Sequence, residues 1–380
     1  MGARVISSVS IGVCICFMSM VFSGCWYDSD SVEFDDPGPE VDLFDFRGAH
    51  HDDDLPNIGQ ENLVSRDFIN VIESENYGAD WDCNDSCGCD CMDDYLKLLE
   101  LAADYSDPIT LEELERQIEA IESGEVREYQ PPLSPFELKY KLTEILNIGF
   151  LVDGLDRRPL EVITISRHES EDYYERKLLF RDPWVGTFKG ILLTPKGNGP
   201  FPGIIANHGH CDNAEGYMFE YRGSEFPSHG YAILMLTSRV FCTTIEEGSI
   251  TRAMLLDGFT MLGIRHYETL LGLKYMRYLS QVDNGSIGLI GHSGGSVHGN
   301  VKVCIEDQFK AYVSDCESDY LGGHEDHMLD DFCPELWPYH KLINSFKGAL
   351  VPVLQVPYGY ANGMDEIFEF FDGHLKKEQE

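Results

Sequence analysis

The sequence predicts an α/β fold, with a mostly parallel sheet flanked by helices and a small helical extension before it. Short apolar runs typical of buried strands occur at Gly203–Asn207, Gly230–Leu236 and Ile287–Ile290. Between the last two runs, Leu255–Leu279 carries apolar residues at helical spacing. Strands and helices that alternate in this way predict a sheet covered on both faces.

The remaining elements are expected on both sides of this region. Further strands are expected at Leu160–Ser166 and Tyr173–Phe180, as an edge hairpin, and at Thr187–Thr194, Ala311–Cys316 and Val351–Tyr358. Helices are expected at Glu61–Glu75, Met92–Tyr105, Thr110–Gly124, Phe136–Leu151 and Met364–Lys377. The helix at Thr110 begins with a capping-box pattern, Thr110-Leu111-Glu112-Glu113.

A catalytic motif follows the strand at Ile287–Ile290. The residues Gly291-His292-Ser293-Gly294-Gly295 form a Gly-x-Ser-x-Gly pentapeptide, the pattern of a nucleophile elbow in which a strand turns sharply into a helix. Glycines are needed because strand and helix approach closely there. We predict that Ser293 stands at the tip as the nucleophile. The alternative is a glycine-rich turn after a buried strand.

A second motif lies upstream, where the strand Gly203–Asn207 ends in His208-Gly209-His210. Together, the two motifs resemble the dienelactone hydrolase and acetyl-xylan-esterase-like branch of the α/β-hydrolase superfamily. The resemblance covers the chain from Leu160 to Asp319. It implies an α/β-hydrolase sheet and a serine hydrolase that acts on small-molecule carboxylic esters, acetylated carbohydrate among them, with no cofactor.

The same resemblance implies an oxyanion hole made of backbone N–H groups. Its donors would be Gly294, which follows the nucleophile, and Gly209 and His210 in the upstream loop. The alternative is a satisfied turn in which His208 and His210 only cap neighbouring backbone groups.

The catalytic base and acid depart from the family pattern. In the family, the acid follows the second strand beyond the elbow and the histidine follows the last strand. Here Val351–Tyr358 alone follows Ala311–Cys316, so that one strand is missing. If Val351–Tyr358 is the acid-bearing strand, Asn362 stands in the acid's place. If it is the last strand, Tyr358 stands where the base should be.

Substitutes for both groups occur nearby in the sequence. The base would be His327 or His340, and the acid would be Asp319 or Asp365. The segment His324-Glu325-Asp326-His327 would also suit a divalent metal, but we assign no metal site. Loss of the base lowers the turnover of a serine hydrolase roughly 10⁴- to 10⁶-fold. The alternative function is therefore a catalytically degenerate hydrolase fold that serves as a binding or surface-interaction module.

The N-terminus predicts export and lipidation. Residues 1–24 combine a basic start, an apolar stretch and small residues, as a secretory signal does. The ending Ser23-Gly24-Cys25 resembles a bacterial lipobox, which implies that a lipidated Cys25 anchors the protein to a membrane of the cell envelope. Because Trp26 follows instead of Asp, the outer membrane is favoured in a Gram-negative host. The acidic residues 25–57 are expected to form a disordered tether.

The tether is followed by a predicted helical, cysteine-containing extension, residues 58–150, and by the hydrolase-like domain, residues 151–380. Four of the 12 cysteines crowd one acidic loop: Cys83, Cys87, Cys89 and Cys91. In an exported protein these favour disulfides, with zinc binding and free thiols as alternatives. The formal net charge of -38 excludes nucleic acid as a partner, since such binding requires basic patches.

Overall fold

The computed structural model describes residues 69–73, 109–126, 133–239, 244–315, 333–357 and 363–376. The predicted signal segment, Cys25, the acidic tether, the helix at Met92–Tyr105 and the Cys83–Cys91 cluster lie outside these residues. The division of the chain into these four segments stays a prediction.

Nine strands form a single mixed sheet within the described residues. They are β1 (Ile69–Glu73), β2 (Leu160–Glu169), β3 (Tyr173–Asp182), β4 (Gly186–Pro195), β5 (Phe201–Asn207), β6 (Ala232–Leu236), β7 (Val282–His292), β8 (Tyr312–Asp315) and β9 (Val353–Val356). Their spatial order is β1-β2-β3-β4-β6-β5-β7-β8-β9. The strands from β6 to β9 in that order are parallel, whereas β2, β3 and β4 pair antiparallel.

Helices cover both faces of this sheet. They are α1 (Leu111–Glu122), α2 (Pro135–Leu146), α3 (Gly149–Val152), α4 (Ala214–Phe219), α5 (Thr244–Leu256), α6 (Met261–Tyr278), α7 (Gly294–Ile305), α8 (His340–Asn344) and α9 (Met364–Leu375). Short 3₁₀ segments occur at Leu155–Arg157, Gly223–His229 and Pro334–Tyr339. The predicted fold class, an α/β-hydrolase sheet flanked by helices, is confirmed.

Three of the predicted helices differ from the structure. The helix expected at Glu61–Glu75 is wrong for its second half: strand β1 lies there and pairs in parallel with β2, as its β-branched sequence favours. The helix expected at Phe136–Leu151 is two helices, because Asn147 adopts a left-handed conformation (φ 49°) that ends α2.

The predicted helix Leu255–Leu279 begins later than expected. Helix α6 starts after Thr260, whose hydroxyl accepts a hydrogen bond from the Gly263 N–H group at 3.0 Å. The first two residues of the predicted range belong to α5, which the sequence did not predict.

The two faces of the sheet bury separate apolar clusters. Along β5, Ile205 packs into the cluster covered by α2, α6 and α7, whereas Ile204 and Ala206 pack into the cluster covered by α4 and α9. This alternation follows from the two-residue period of a strand. Every residue of α7 is buried, so this helix lies inside the protein. Packing therefore fixes the position of its first turn, which follows Ser293 directly.

Three cysteines lie within the described residues. Cys211 is exposed, whereas Cys304 and Cys333 are buried, and burial raises the pKa of each of the two buried thiols to about 12. Disulfides were our first expectation for this chain, and none joins these three residues. Within the described ranges, no helix combines the length and the apolarity that a membrane crossing requires.

Gly295, in the first turn of α7, allows a test of the packing. A Cβ atom on Gly295 would lie 2.4 Å from the Asn207 carbonyl oxygen, whereas one on Gly373 in α9 would meet no atom within 4 Å. We expect Gly295→Ala to lower the free energy of unfolding by about 2 kcal/mol or more, because backbone must move. Gly373→Ala, the matched control, should raise it by about 0.5–1 kcal/mol. Urea denaturation measures both, and equal effects would contradict the packing argument.

Candidate active site

Ser293 sits on the sharp turn between β7 and α7. Its backbone has φ 49° and ψ -119°, a conformation that residues other than glycine rarely adopt. Such a residue costs on the order of 1–3 kcal/mol and persists only where its surroundings hold it. The turn lifts a half-buried side chain to the carboxyl edge of the sheet, as predicted for a nucleophile elbow.

Two glycines create the space for this turn. A Cβ atom on Gly291 would lie 2.3 Å from the Gly295 carbonyl oxygen. One on Gly295 would lie 2.5 Å from the His208 carbonyl oxygen, so α7 starts directly against the loop after β5. Gly291 and Gly295 are therefore required, because a Cβ atom at either position would lie closer to its neighbours than real Cβ atoms do.

The predicted oxyanion groups lie around Ser293. A Cβ atom on Gly209 would be 3.0 Å from the Ser293 Cβ atom, which places the His-Gly loop against the nucleophile. Gly294 is the first residue of α7, where a helix leaves N–H groups without internal acceptors and carries partial positive charge. His210 follows Gly209 in the same loop and is half-buried. The arrangement suits stabilisation of a negatively charged oxygen.

His208 has a structural task in this loop. The Ser238 N–H group donates to its Nε2 atom at 2.9 Å, so its Nδ1 atom carries the proton and donates to the Gly209 carbonyl oxygen at 2.7 Å. Burial lowers the pKa of His208 to about 4. Since both ring nitrogens are engaged, His208 holds the loop and is not available as a base.

The buried ammonium group of Lys302 contacts the end of β5. The Lys302 Nζ atom, on the third turn of α7, donates to Thr269 Oγ1 at 2.7 Å and to Asn207 Oδ1 at 3.3 Å. Asn207 ends β5 and leads directly into the His-Gly loop. Burial lowers the pKa of Lys302 to about 7. Helices α6 and α7 thus hold the end of β5 through hydrogen bonds made inside the protein.

His292 and Asp315 form a pair that sequence reasoning missed. They are register partners at the ends of β7 and β8. The His292 Nδ1 atom lies 3.1 Å from Asp315 Oδ2, and both side chains are buried. The ring of His292 also stacks on Tyr221 at 4.0 Å between centroids. The available signal was that both residues end neighbouring parallel strands, whose carboxyl ends share one edge of the sheet.

Of the four residues predicted as base or acid, the structure describes His340 and Asp365, and the assignment stays a prediction. His327 and Asp319 lie outside the described residues. The His340 Nδ1 atom is 2.7 Å from the Trp337 carbonyl oxygen, and its ring stacks on Trp337. Asp365 is exposed in the first turn of α9. Among the described residues, the Ser293 hydroxyl has no hydrogen-bond partner.

The strand order shows which place β9 takes relative to the nucleophile turn. β9 pairs with β8, which pairs with β7, so β9 is the second strand beyond the elbow and stands at the family's acid-bearing position. In the part of the chain that the structure describes, β9 is also the last strand. The position after it, including Asn362, falls outside the described residues.

The strand order, the helices on both faces and the serine elbow define an α/β-hydrolase fold. No family model matches the chain. The hydrolase YtaP of Bacillus subtilis is 29% identical over 180 residues, which are 44% of this chain and 60% of YtaP. Mitochondrial acyl-coenzyme A thioesterase 2 of Homo sapiens is 27% identical over 146 residues, 38% of this chain and 26% of that protein. The matches thus span less than two thirds of either relative.

The chain is also similar, at low identity, to solved structures of esterases. A Bacteroides fragilis protein described as an acetyl xylan esterase is 18% identical, with a TM-score of 0.49, over 63% of this chain and 76% of its own. An acetyl xylan esterase from Paenibacillus sp. R4 is 12% identical, with a TM-score of 0.46, over 70% of this chain and 100% of its own.

The depressed pKa of His208 predicts an acid-sensitive fold. Between the usual histidine value of 6.5 and about 4, the unfolded chain binds a proton that the folded chain does not. The stability due to neutral His208 is therefore present above pH 6.5 and is lost as the pH falls through this window, by about 3 kcal/mol in total.

We expect His208→Asn to flatten the fall in unfolding free energy between pH 6.5 and 4, measured by urea denaturation at several pH values. His168→Asn on the exposed end of β2 is the matched control. Parallel curves for the wild type and the His208 variant would refute a buried neutral imidazole.

Proposed function

We propose that this protein is a serine hydrolase acting on carboxylic esters. The observation that carries the proposal is the strained backbone of Ser293, held against Gly209 at the start of α7. The backbone of Ser293 is held in an unfavourable conformation, and Ser293 is the residue whose hydroxyl the turn presents. Strain of this kind concentrates at functional sites.

The reaction would be acyl transfer in two stages. Ser293 Oγ attacks the ester carbonyl carbon, and the backbone N–H groups of Gly294 and of the Gly209–His210 loop stabilise the oxyanion. Expulsion of the alcohol leaves an acyl-serine, which water hydrolyses to the free acid. The names of the two curated relatives, a hydrolase and a thioesterase, support acyl transfer. The resemblance of the two sequence motifs supports small esters, including acetylated carbohydrate, as substrates.

The cell envelope is the proposed location. The Ser23-Gly24-Cys25 sequence after an apolar stretch supports lipidation of Cys25, and the acidic residues 25–57 would hold the enzyme off the membrane. The excess of acidic residues suits neutral or cationic substrates, because anionic ones would be repelled.

A binding module is the second candidate function. The observation that favours it is the Ser293 hydroxyl, which lacks a hydrogen-bonded base among the described residues. Without a base, the oxyanion hole and substrate binding leave only about 10³- to 10⁴-fold catalysis over water. Such a protein would bind esters equally well with and without Ser293.

A fluorophosphonate probe tests the hydrolase proposal directly. We expect the probe to label Ser293, because the reagent traps activated serine hydroxyls. Ser293→Ala should abolish labelling and lower kcat/KM for p-nitrophenyl acetate at least about 10³-fold. The exposed Ser345→Ala is the matched control and should behave as wild type. Absence of labelling together with equal ligand affinity in both proteins would establish the binding module instead.

Lipidation is tested separately in a bacterial host. We expect the full-length chain to incorporate an alkyne-tagged palmitate and to fractionate with membranes. Cys25→Ser should abolish both, since the modified cysteine is the attachment point. The control variant is Cys211→Ser, a substitution in the folded part of the chain. It should change neither palmitate incorporation nor membrane fractionation. Membrane association of the Cys25 variant would refute anchoring through this residue.

A further inference from the structure

We infer that Arg265 is a positioning residue for the His-Gly loop, the segment His208-Gly209-His210 that lies against Ser293. It acts through Ser238 and Arg239, which follow β6 and hold the side chain of His208. The inference deepens the proposed hydrolase function and rests on it. It gives a task to a buried arginine of α6 that the acyl-transfer steps do not use.

Arg265 holds one carbonyl group with two donors. Its Nε and Nη2 atoms donate to the Arg239 carbonyl oxygen at 3.1 and 2.9 Å. Its Nη1 atom lies 3.4 Å from the His298 Nε2 atom on α7. Arg265 is 1% exposed, so these contacts are made away from water. The planar fork of a guanidinium fixes the direction of the carbonyl as well as its distance, which the ammonium group of a lysine does not do.

The side chain of Arg239 is held as well. Its Nε atom donates to Glu268 Oε1 at 2.6 Å, and its Nη2 atom donates to the Val185 carbonyl oxygen at 2.7 Å. Arg239 and Glu268 are both buried. Helix α6 therefore contacts Arg239 at two points, the carbonyl group through Arg265 and the guanidinium through Glu268.

Ser238 lies between two residues whose positions are fixed. Before it, the Thr237 N–H group donates to the Lys189 carbonyl oxygen of β4 at 2.9 Å. After it, Arg239 is held by α6. The Ser238 N–H group is thereby directed at the His208 Nε2 atom, to which it donates at 2.9 Å. A displacement of Arg239 would displace this donor.

His208 transmits this position to the proposed oxyanion donors. Its Nδ1 atom donates to the Gly209 carbonyl oxygen at 2.7 Å. The Gly209 carbonyl and the His210 N–H group belong to one planar peptide unit and point in opposite directions. Because His208 fixes the carbonyl, it also fixes where the His210 N–H group points. A Cβ atom on Gly209 would lie 3.0 Å from the Ser293 Cβ atom, so this peptide unit lies beside the nucleophile.

Arg265 also helps to keep the His208 Nε2 atom unprotonated. The pKa of His208 is lowered to about 4, chiefly by burial, and the positive charges of Arg265 and Lys302 act in the same direction. A protonated Nε2 atom could not accept the hydrogen bond from the Ser238 N–H group. The arginine thus supports this hydrogen bond by its position and by its charge.

A buried arginine of this kind is costly for the fold. Glu268 interacts with Arg239 and Arg265, and Lys302 adds a third basic group nearby. Removing such ions from water is expensive, and apolar residues of similar volume often stabilise a core as well or better. Positioning of the His-Gly loop therefore explains Arg265 better than stability does.

Arg277 provides a matched control on the same helix. It is half-buried, and its Nη2 atom donates to the Gln308 carbonyl oxygen at 3.2 Å. It lies in the last turn of α6, about 18 Å along the helix axis from Arg265. Arg277→Met therefore removes a similar side chain from α6 without removing a contact to Arg239 or to the His-Gly loop.

The test compares Arg265→Met, Arg265→Lys and Arg277→Met in the full chain. We expect Arg265→Met to lower kcat/KM for p-nitrophenyl acetate and the rate of fluorophosphonate labelling of Ser293 about 10- to 10²-fold. Arg265→Lys keeps the charge but loses the paired donors, and both rates should fall about 3-fold or more. Arg277→Met should match wild type. Circular dichroism and thermal unfolding establish that each variant is folded, and Arg265→Lys decides if Arg265→Met does not fold.

The imidazole nitrogen signals of His208 separate positioning from a loss of stability. In protein carrying ¹⁵N-labelled histidine, these signals are identified by their absence from His208→Asn. We expect the Nε2 signal to move in Arg265→Met toward that of a nitrogen that accepts no hydrogen bond, because the Ser238 N–H group is displaced. It should stay in place in Arg277→Met.

Three results would overturn the inference. The first is wild-type rates in a folded Arg265 variant. The second is a His208 signal that stays in place while the rates fall. The third is an equal loss of activity in Arg265→Met and Arg277→Met, since that would point to stability alone.

The outcomes also separate this inference from the hydrolase proposal. If wild-type Ser293 is labelled and folded Arg265→Met is labelled equally fast, only the inference fails. If wild-type Ser293 is never labelled, the hydrolase proposal fails, and the His208 signal still reports whether Arg265 positions the His-Gly loop.

Discussion

The close approach of α7 to the end of β5 is the constraint on which the site depends. Gly295 lies where a Cβ atom would be 2.4–2.5 Å from the carbonyl oxygens of Asn207 and His208. This contact brings the His-Gly loop and the nucleophile turn together, although they are far apart in the sequence. The strained backbone of Ser293 persists because packing on both sides leaves no room for relaxation.

Buried hydrogen bonds also hold the loop after β5 in place. His208 bonds within its own loop and to Ser238, while Lys302 holds the Asn207 side chain from α7. Burying such groups is costly unless they are hydrogen-bonded, so a wrong arrangement of the loop would be penalised. The loop is therefore specified by satisfied hydrogen bonds, whereas the surrounding sheet is specified by apolar packing.

Much of the fold could be predicted because each signal was local. The pentapeptide around Ser293 and the apolar run before it identify the elbow from a few adjacent residues. Strand β1 could not be found in this way, since its role arises from pairing with β2, far along the chain. The same limit applies to the site. The His292–Asp315 hydrogen bond follows from the register of β7 and β8, which sequence patterns leave undetermined.

The short strand β9 affects how readily another strand could pair with this side of the sheet. It lies last in the order of the described strands and spans four residues, with Pro352 before it and Pro357 after it. Each proline lacks an N–H donor, so the ladder that an incoming chain could add is brief and interrupted at both ends. Edge-to-edge aggregation through this side is disfavoured. Within the described residues, the two prolines thus limit the backbone donors that β9 leaves open to a further strand.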